Sequence, residues 1–416
     1  MSKEHVREFP WQRMINDDYS SIIPRAADGS PYGDLYVESR AFDTFLYRTE
    51  PLTVVKEFEE IASISEIEHK VKKPRAVRLM RIYHSQLPKE ILKGTDMTIS
   101  VISRSPIPER DSPEPSQNIG LRNGDANELY FVHEGKGVFC TDFGTIEYEK
   151  GDYVFLPRGT TYTIDAHYTS ENIESGSFFA IAEIPKPVFM PRHSWLSDFF
   201  PYDPSAITSA IPYSKKDITE RKDVNFETFL KTNGSYNTKL VHPFAPFNCT
   251  GWQGKLYPFK LSMKHIHTLS SPTFHLPPTA LVTFTTEDMG AMISTFKPRW
   301  IHSLPYNHMN DHDEFLFYHR GEYSARTGIK LGDATLHPAG VHHGPQPKRM
   351  KEWKRSEPKD LPWREETAVM FESRAPFSMT SQGKAVELEG YDESWEHEWE
   401  ETNGDASDKS AEKEQL

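Results

Sequence analysis

Cysteine is nearly absent: Cys140 and Cys249 are the only two in 416 residues, and nothing in their spacing pairs them. That excludes a disulfide framework and fits a reducing compartment, so a cytoplasmic location is expected. Long apolar runs are missing as well. No window approaches the roughly 18 uninterrupted apolar residues that a membrane helix needs. The opening MSKEHVREFPWQRMINDDYS is charged, unlike a secretory leader. No membrane partner is therefore expected. Positive charge is also in deficit, with a net charge of −13. Ten Asp and Glu against two Lys fall between Tyr391 and Leu416, so most of the surplus sits at that end. The remainder shows no basic stripe with interleaved aromatics, which speaks against nucleic acid. The acidic segment 386–416 is too polar to form a core and is expected to be disordered.

What the chain has in quantity is proline, at 31 residues, and aromatic side chains, at 12%. Short apolar stretches such as LYFVHEG, GVFCTDFG, GDYVFLPRG and ALVTFTT are broken by Gly, Pro and Asp. This predicts many short strands arranged as a sandwich or barrel. Two segments carry apolar residues at helical spacing, 51–67 and, more weakly, 218–232. The Pro-rich stretch 104–116 reads as an exposed loop.

An internal repeat is the most informative feature. Residues 128–135 read ELYFVHEG and residues 314–321 read EFLFYHRG. Further on, GDYVFLPRGTTY at 151–162 is matched by GDATLHPAGVHH at 332–343. One supersecondary unit occurs twice, about 185 residues apart.

Both copies fit the spacing of the two cupin motifs, H-x-H-x3-E-x6-G and G-x5-P-x-G-x2-H. In the second copy the positions are His308, Asn310, Glu314 and Gly321, then Gly332, Pro338, Gly340 and His343. Two imidazoles and a carboxylate on one face of a divalent ion form the facial triad that leaves positions open for O2 and an organic substrate at Fe(II). The expected metal ligands are thus His308, Glu314 and His343. In the first copy Glu128 survives, but Arg122, Gly124 and Tyr162 occupy the other positions. Arginine does not give up its proton to become a ligand, so the first unit is expected to be metal-free scaffold. Ten of the 18 histidines lie between His265 and His343. Of these, His302, His312 and His319 read as ordinary surface or core residues. His312 and His342 are the nearest competing ligands, displaced from the motif positions.

With these residues in place, the chain resembles the homogentisate 1,2-dioxygenase family. The resemblance rests on Tyr306, His308, Asn310, Glu314 and Phe315 in the pattern YxHxNxxxEF, and on His343-Gly344-Pro345. FKPRW at 296–300, RGEY at 320–323, LHP at 336–338 and MFES at 370–373 extend it, as do PYGDLY at 31–36 and FLYR at 45–48. It implies that His308, Glu314 and His343 hold iron, that His275 is the active-site base, that Tyr306 and Tyr323 lie near the bound ring, and that His337 stands with them at the substrate, supporting the ligands without itself binding the iron. His265 and His267 are close competitors for the role of His275. The opening EFPWQRMINDDYSSIIPRAADG departs from the family's Gly-Phe-Gly-Asn start, which leaves the ring substituent open.

The expected protein is an all-β bicupin, two jelly-roll barrels in tandem with a few short helices. Its divisions are 1–245 with a metal-free barrel, 246–385 with the iron-binding barrel, and the acidic end 386–416. The implied activity is Fe(II)- and O2-dependent cleavage of a 1,4-dihydroxylated aromatic acid, homogentisate giving maleylacetoacetate. Two alternatives stand beside it: the same chemistry on gentisate or another hydroquinone, and a non-catalytic bicupin that binds a small molecule. The resemblance also implies a homo-oligomer, such as a hexamer of paired trimers.

Overall fold

The computed structural model describes residues 73–82, 85–104, 118–167, 176–191, 202–220, 224–267, 281–300, 311–321, 323, 325–341, 343–344, 346–349, 363–398 and 401. It also gives the backbone course of strands at Gln12–Arg13, Gly33–Glu38, Phe42–Arg48 and Glu57–Glu60. His275, Tyr306 and His308 lie outside the described residues, as do Asn310 and His342.

The protein is largely β-sheet, with short helices at Lys215–Glu220 and Ser381–Ala385. The strands needed below are, in chain order, β1 (Arg75–Arg78), β2 (Lys89–Lys93), β3 (Thr98–Arg104), β4 (Asn127–Glu134) and β5 (Asp152–Leu156). They continue as β6 (Ser177–Ile184), β7 (Phe226–Thr232), β8 (Phe259–Ser262), β9 (Leu281–Thr286) and β10 (Ala291–Phe296). The last are β11 (Asp313–Arg320), β12 (Asp333–His337), β13 (Thr367–Ser373), β14 (Ser378–Met379) and β15 (Glu387–Leu388).

Two eight-stranded sheets dominate. In the first, the hydrogen-bonded order is Thr208–Ser209, β8, β5, β4, β6, β3, β2, β14. In the second it is β15, β1, β12, β11, β13, β10, β9, Val188–Phe189. The orders are equivalent. The repeated motif strands β4 and β11 occupy matching central places, each flanked by the strand that carries its Gly-Asp motif, β5 and β12. The arrangement is cupin-like, although no sheet closes on itself among the described residues. A third sheet of seven strands lies over the first, where Tyr130 and Phe179 of one meet Phe139 of the other at 5.1 and 5.7 Å between ring centroids.

Both large sheets cross the division expected at residue 245. Strand β1, from the first half, pairs with β12, and β8, from the second half, pairs with β5. Strand β14 extends the first sheet, and Val188–Phe189 extends the second. Each half thus caps exposed strand edges of the other, a remedy for unpaired N–H and C=O groups. The two segments expected to be helical carry strands instead. Glu57–Glu60 pairs with Ser235–His242, and only Lys215–Glu220 is helical before β7. In β7 burial follows a period close to two, so the sheet environment outweighs a weak helical pattern.

Strands β4 and β11 are buried almost throughout, because both faces are covered. Side chains alternate between faces along a strand. One face presents Phe131 and His133 to Phe317 and His319, their counterparts in the repeat. The phenyl rings lie 6.2 Å apart edge to face, and the two Nδ1 atoms are 3.0 Å apart. The sheets therefore pack about an approximate twofold axis. The other face of β4 presents Glu128 and Tyr130, and that of β11 presents Glu314 and Tyr318.

Residues 386–398 of the acidic terminus expected to be disordered are folded. Strand β15 pairs with β1, and Tyr391 and Glu398 are buried. Aromatic side chains among the acids, Tyr391 and Trp395, supply the apolar surface that the composition as a whole lacks. Among the described residues no helix is long and apolar enough to cross a membrane.

Candidate metal centre

Strand register places the site. Glu314 on β11 lies opposite His337 on β12 and opposite Glu372 on β13. Residues directly opposite on antiparallel strands share a face, so three polar side chains converge on one side of the second sheet. The turn after β12, with Gly340 at φ 75°, brings His343 back to them. Glu314, His337 and His343 offer donor atoms that all lie within 4.8 Å of one another. They form the one such group of His, Cys, Asp or Glu among the described residues.

Geometry sorts these donors. His343 Nδ1 is 2.9 Å from the Val341 carbonyl oxygen, so it carries the proton and donates. Its Nε2 is left as a lone pair, and 2.9 Å away is Glu314 Oε2, another acceptor. Two acceptors at that distance need a proton or a cation between them. Adjacent ligands at about 2.1 Å from an octahedral ion lie about 3 Å apart, so the spacing fits a shared metal. A backbone carbonyl that fixes the distal nitrogen is the usual support for a ligating histidine. Glu314 and His343 therefore fit a divalent ion. His337 stacks on His343, with centroids 4.7 Å apart and planes at 14°.

Glu372 was matched in sequence only as part of MFES. It is buried and accepts a 2.6 Å hydrogen bond from Ser294 Oγ. Burial, with the Glu314 charge adding to it, pushes its carboxyl up to about 7. His312, a competing ligand by sequence, is occupied elsewhere: Nδ1 meets Asp311 and Nε2 meets the Met289 carbonyl, each at 2.8 Å. Tyr323 packs on Tyr318 with centroids 4.3 Å apart. Its hydroxyl is buried and makes no hydrogen bond among the described residues, and burial raises its pKa. Arg299, within the FKPRW match, is paired with Glu366 at 3.0 Å.

The corresponding place in the first unit is filled by protein. Tyr162, where His343 has its counterpart, donates to Glu128 Oε1 at 3.1 Å and lies 2.5 Å from the Tyr130 hydroxyl. Arg122 Nε donates to Thr161 Oγ1 at 2.7 Å. Burial, then the nearby Glu183 charge, pushes the Glu128 carboxyl up to about 8, so it is protonated at neutral pH. Lys231 on β7 supplies a buried cation to Glu90 and Glu183, each at 2.6 Å. Neutral phenols, a neutral acid and an internal ammonium stand where the second unit gathers metal-type donors.

Residues 268–404 match the family described as homogentisate 1,2-dioxygenase C-terminal. A protein of Saccharolobus solfataricus named "Putative dioxygenase SSO1533" is 33% identical over 306 residues, covering 71% of this chain and 73% of that protein. The chain belongs to a family of bicupin dioxygenases related to homogentisate 1,2-dioxygenase. It is a divergent member. Homogentisate 1,2-dioxygenase of Bradyrhizobium diazoefficiens is 27% identical over 278 residues, 62% of this chain and 58% of that enzyme. The match thus spans little more than half the length of such relatives. A cupin 2 conserved barrel domain protein from Leptotrichia buccalis aligns with a TM-score of 0.31 at 12% identity, over 74% of this chain and 98% of that one. So distant a superposition adds no weight to the fold read from the sheets.

Proposed function

We propose that the chain is an Fe(II)-dependent ring-cleaving dioxygenase acting on a 1,4-dihydroxylated aromatic acid, homogentisate being the leading substrate and maleylacetoacetate its product. The carrying observation is the 2.9 Å approach of His343 Nε2 to Glu314 Oε2, with the other His343 nitrogen held by a carbonyl. In this reading His308 is the third ligand, and Glu314 and His343 hold the ion from the sheet. Bound Fe(II) would supply Lewis acidity toward a phenol oxygen and the redox capacity that O2 chemistry needs. The protein supplies positions and protons. His275 is assigned as the base that takes the phenolic proton. Tyr306, Tyr323 and His337 are assigned to the ring and its hydroxyls. The Tyr323 hydroxyl, buried and without a hydrogen bond among the described residues, supports this, because a buried phenol is costly without a partner and a substrate oxygen would provide one. A homo-oligomer belongs to the same reading and is checked by light scattering.

The test is oxygen uptake by anaerobically iron-loaded protein on a panel of para-diphenols, with mass analysis of products. Consumption with homogentisate, and a product heavier by both oxygen atoms, is expected. Turnover of gentisate or a plain hydroquinone in its place would move the substrate while leaving the chemistry. Iron-loaded protein inert to the whole panel would sink the enzymatic reading in favour of a small-molecule-binding bicupin.

A further inference from the structure

The C-terminal segment reaches the centre from outside the barrel motifs. Its anchors are numerous. Arg75 pairs with Glu387 at 2.5 Å and Lys73 with Asp392 at 2.8 Å. Gln346 Nε2 donates to Ser394 Oγ at 2.6 Å, and the Lys348 N–H donates to Glu398 Oε2 at 3.0 Å. The last two tie the segment to the chain just beyond His343. The segment then lays Tyr391 and Trp395 against His337. The indole is perpendicular to the imidazole at 6.4 Å, and the Tyr391 hydroxyl is 3.4 Å from His337 Nε2.

Arg326 completes the contact. Its Nη1 donates to the Gly344 carbonyl at 2.6 Å, its guanidinium lies 5.4 Å from the Trp395 ring centre, and its Nη2 is 3.4 Å from the same His337 Nε2. A guanidinium is always a donor and never an acceptor. Nε2 must therefore accept. A neutral imidazole with an accepting Nε2 carries its proton on Nδ1. The lone pair of Nε2 is then turned to Arg326 and Tyr391, and the protonated Nδ1 has none to offer an ion.

We propose that Arg326 and Tyr391 fix His337, which the family resemblance already sets beside the ligands, as an Nδ1–H imidazole and a positioned hydrogen-bond donor, which makes the C-terminal segment a working part of the centre. The role toward substrate rests on the dioxygenase reading above; the tautomer does not. Tyr391 and Arg326 are positioning residues, since they act through His337.

The decisive experiment is long-range 1H–15N correlation on the full chain labelled with 15N-histidine, without metal, with His337→Gln to assign the signal. The expected result is a protonated Nδ1 and an unprotonated Nε2 at His337. A proton on Nε2 overturns the proposal whatever the enzyme does. The isosteric Tyr391→Phe keeps the fold in place and gives the second readout. Its iron content should equal that of the parent, while kcat on the best para-diphenol falls roughly 10-fold with KM unchanged, the size typical for a supporting partner at a metal site. Loss of iron comparable to that of Glu314→Gln would make His337 a ligand and overturn the assignment. Unchanged kcat would remove the positioning role. If no diphenol is turned over, the ring-cleavage reading falls, and the nitrogen spectrum still decides the tautomer.

Discussion

At the scale of single residues, the two copies of one motif have been driven to opposite electrostatic solutions. Glu314 faces an imidazole nitrogen across 2.9 Å, a pair that needs a proton or a cation between its two atoms. Glu128 faces phenols and holds a proton. This difference has a measurable sign. The Glu128 carboxyl is raised from 4.5 to about 8 on folding. The stability it contributes is therefore fully present below about pH 4.5 and is lost as pH rises toward 8, by at most about 1.4 kcal/mol per unit. Glu128→Gln has no proton to lose. Urea midpoints at pH 5 and pH 8 should fall apart less in this variant than in the parent, and its iron content should be unchanged. A variant that loses iron would mean that the first unit is not metal-free.

At the scale of elements, β4 and β11 meet through their repeat counterparts, and the meeting includes a buried histidine pair. Burial, with Lys150 nearby, pushes His133 from 6.5 down to about 3. Burial lowers His319 as well, with His133 and Lys150 adding to it. Both are neutral in the folded protein at any ordinary pH. The unfolded chain takes up protons below about pH 6.5 and the folded one does not. Stability is thus full above 6.5 and falls as pH drops toward 3, by about 1.4 kcal/mol per unit for each histidine. Replacing both, as His133→Leu with His319→Leu, should flatten urea midpoints between pH 7 and pH 4.5; an unaltered acid slope would place the effect elsewhere. The repeat made these two strands legible in sequence, down to the Glu, His and Gly positions. That the two histidines touch was not legible, because His319 read alone is an ordinary core residue. The site divides the same way. Glu314 and His343 followed from spacing, whereas Glu372 is brought in by strand register and Arg326 and Tyr391 by turns far apart in sequence, which no local pattern links.

At the scale of the whole molecule, exchanged strands join the halves into one hydrogen-bonded body. Strands β1 and β8 each complete the sheet of the other half, and one hydrophobic cluster includes Phe131, Tyr153, Phe284 and Phe317 from both. A tandem repeat in sequence suggests a cut at residue 245, and local pattern carries no sign of the exchange. Pieces 1–245 and 246–416 expressed apart should fail to fold, and the intact chain should unfold in one calorimetric transition. Two resolved transitions would show that the halves are independent. The most direct measurement is anomalous scattering at the iron edge from crystals of the Fe(II)-loaded chain. One peak per chain is predicted, within bonding distance of the Glu314 carboxylate and His343 Nε2, with nothing beside Glu128. A peak at Glu128, or iron bound away from Glu314 and His343, would contradict the account.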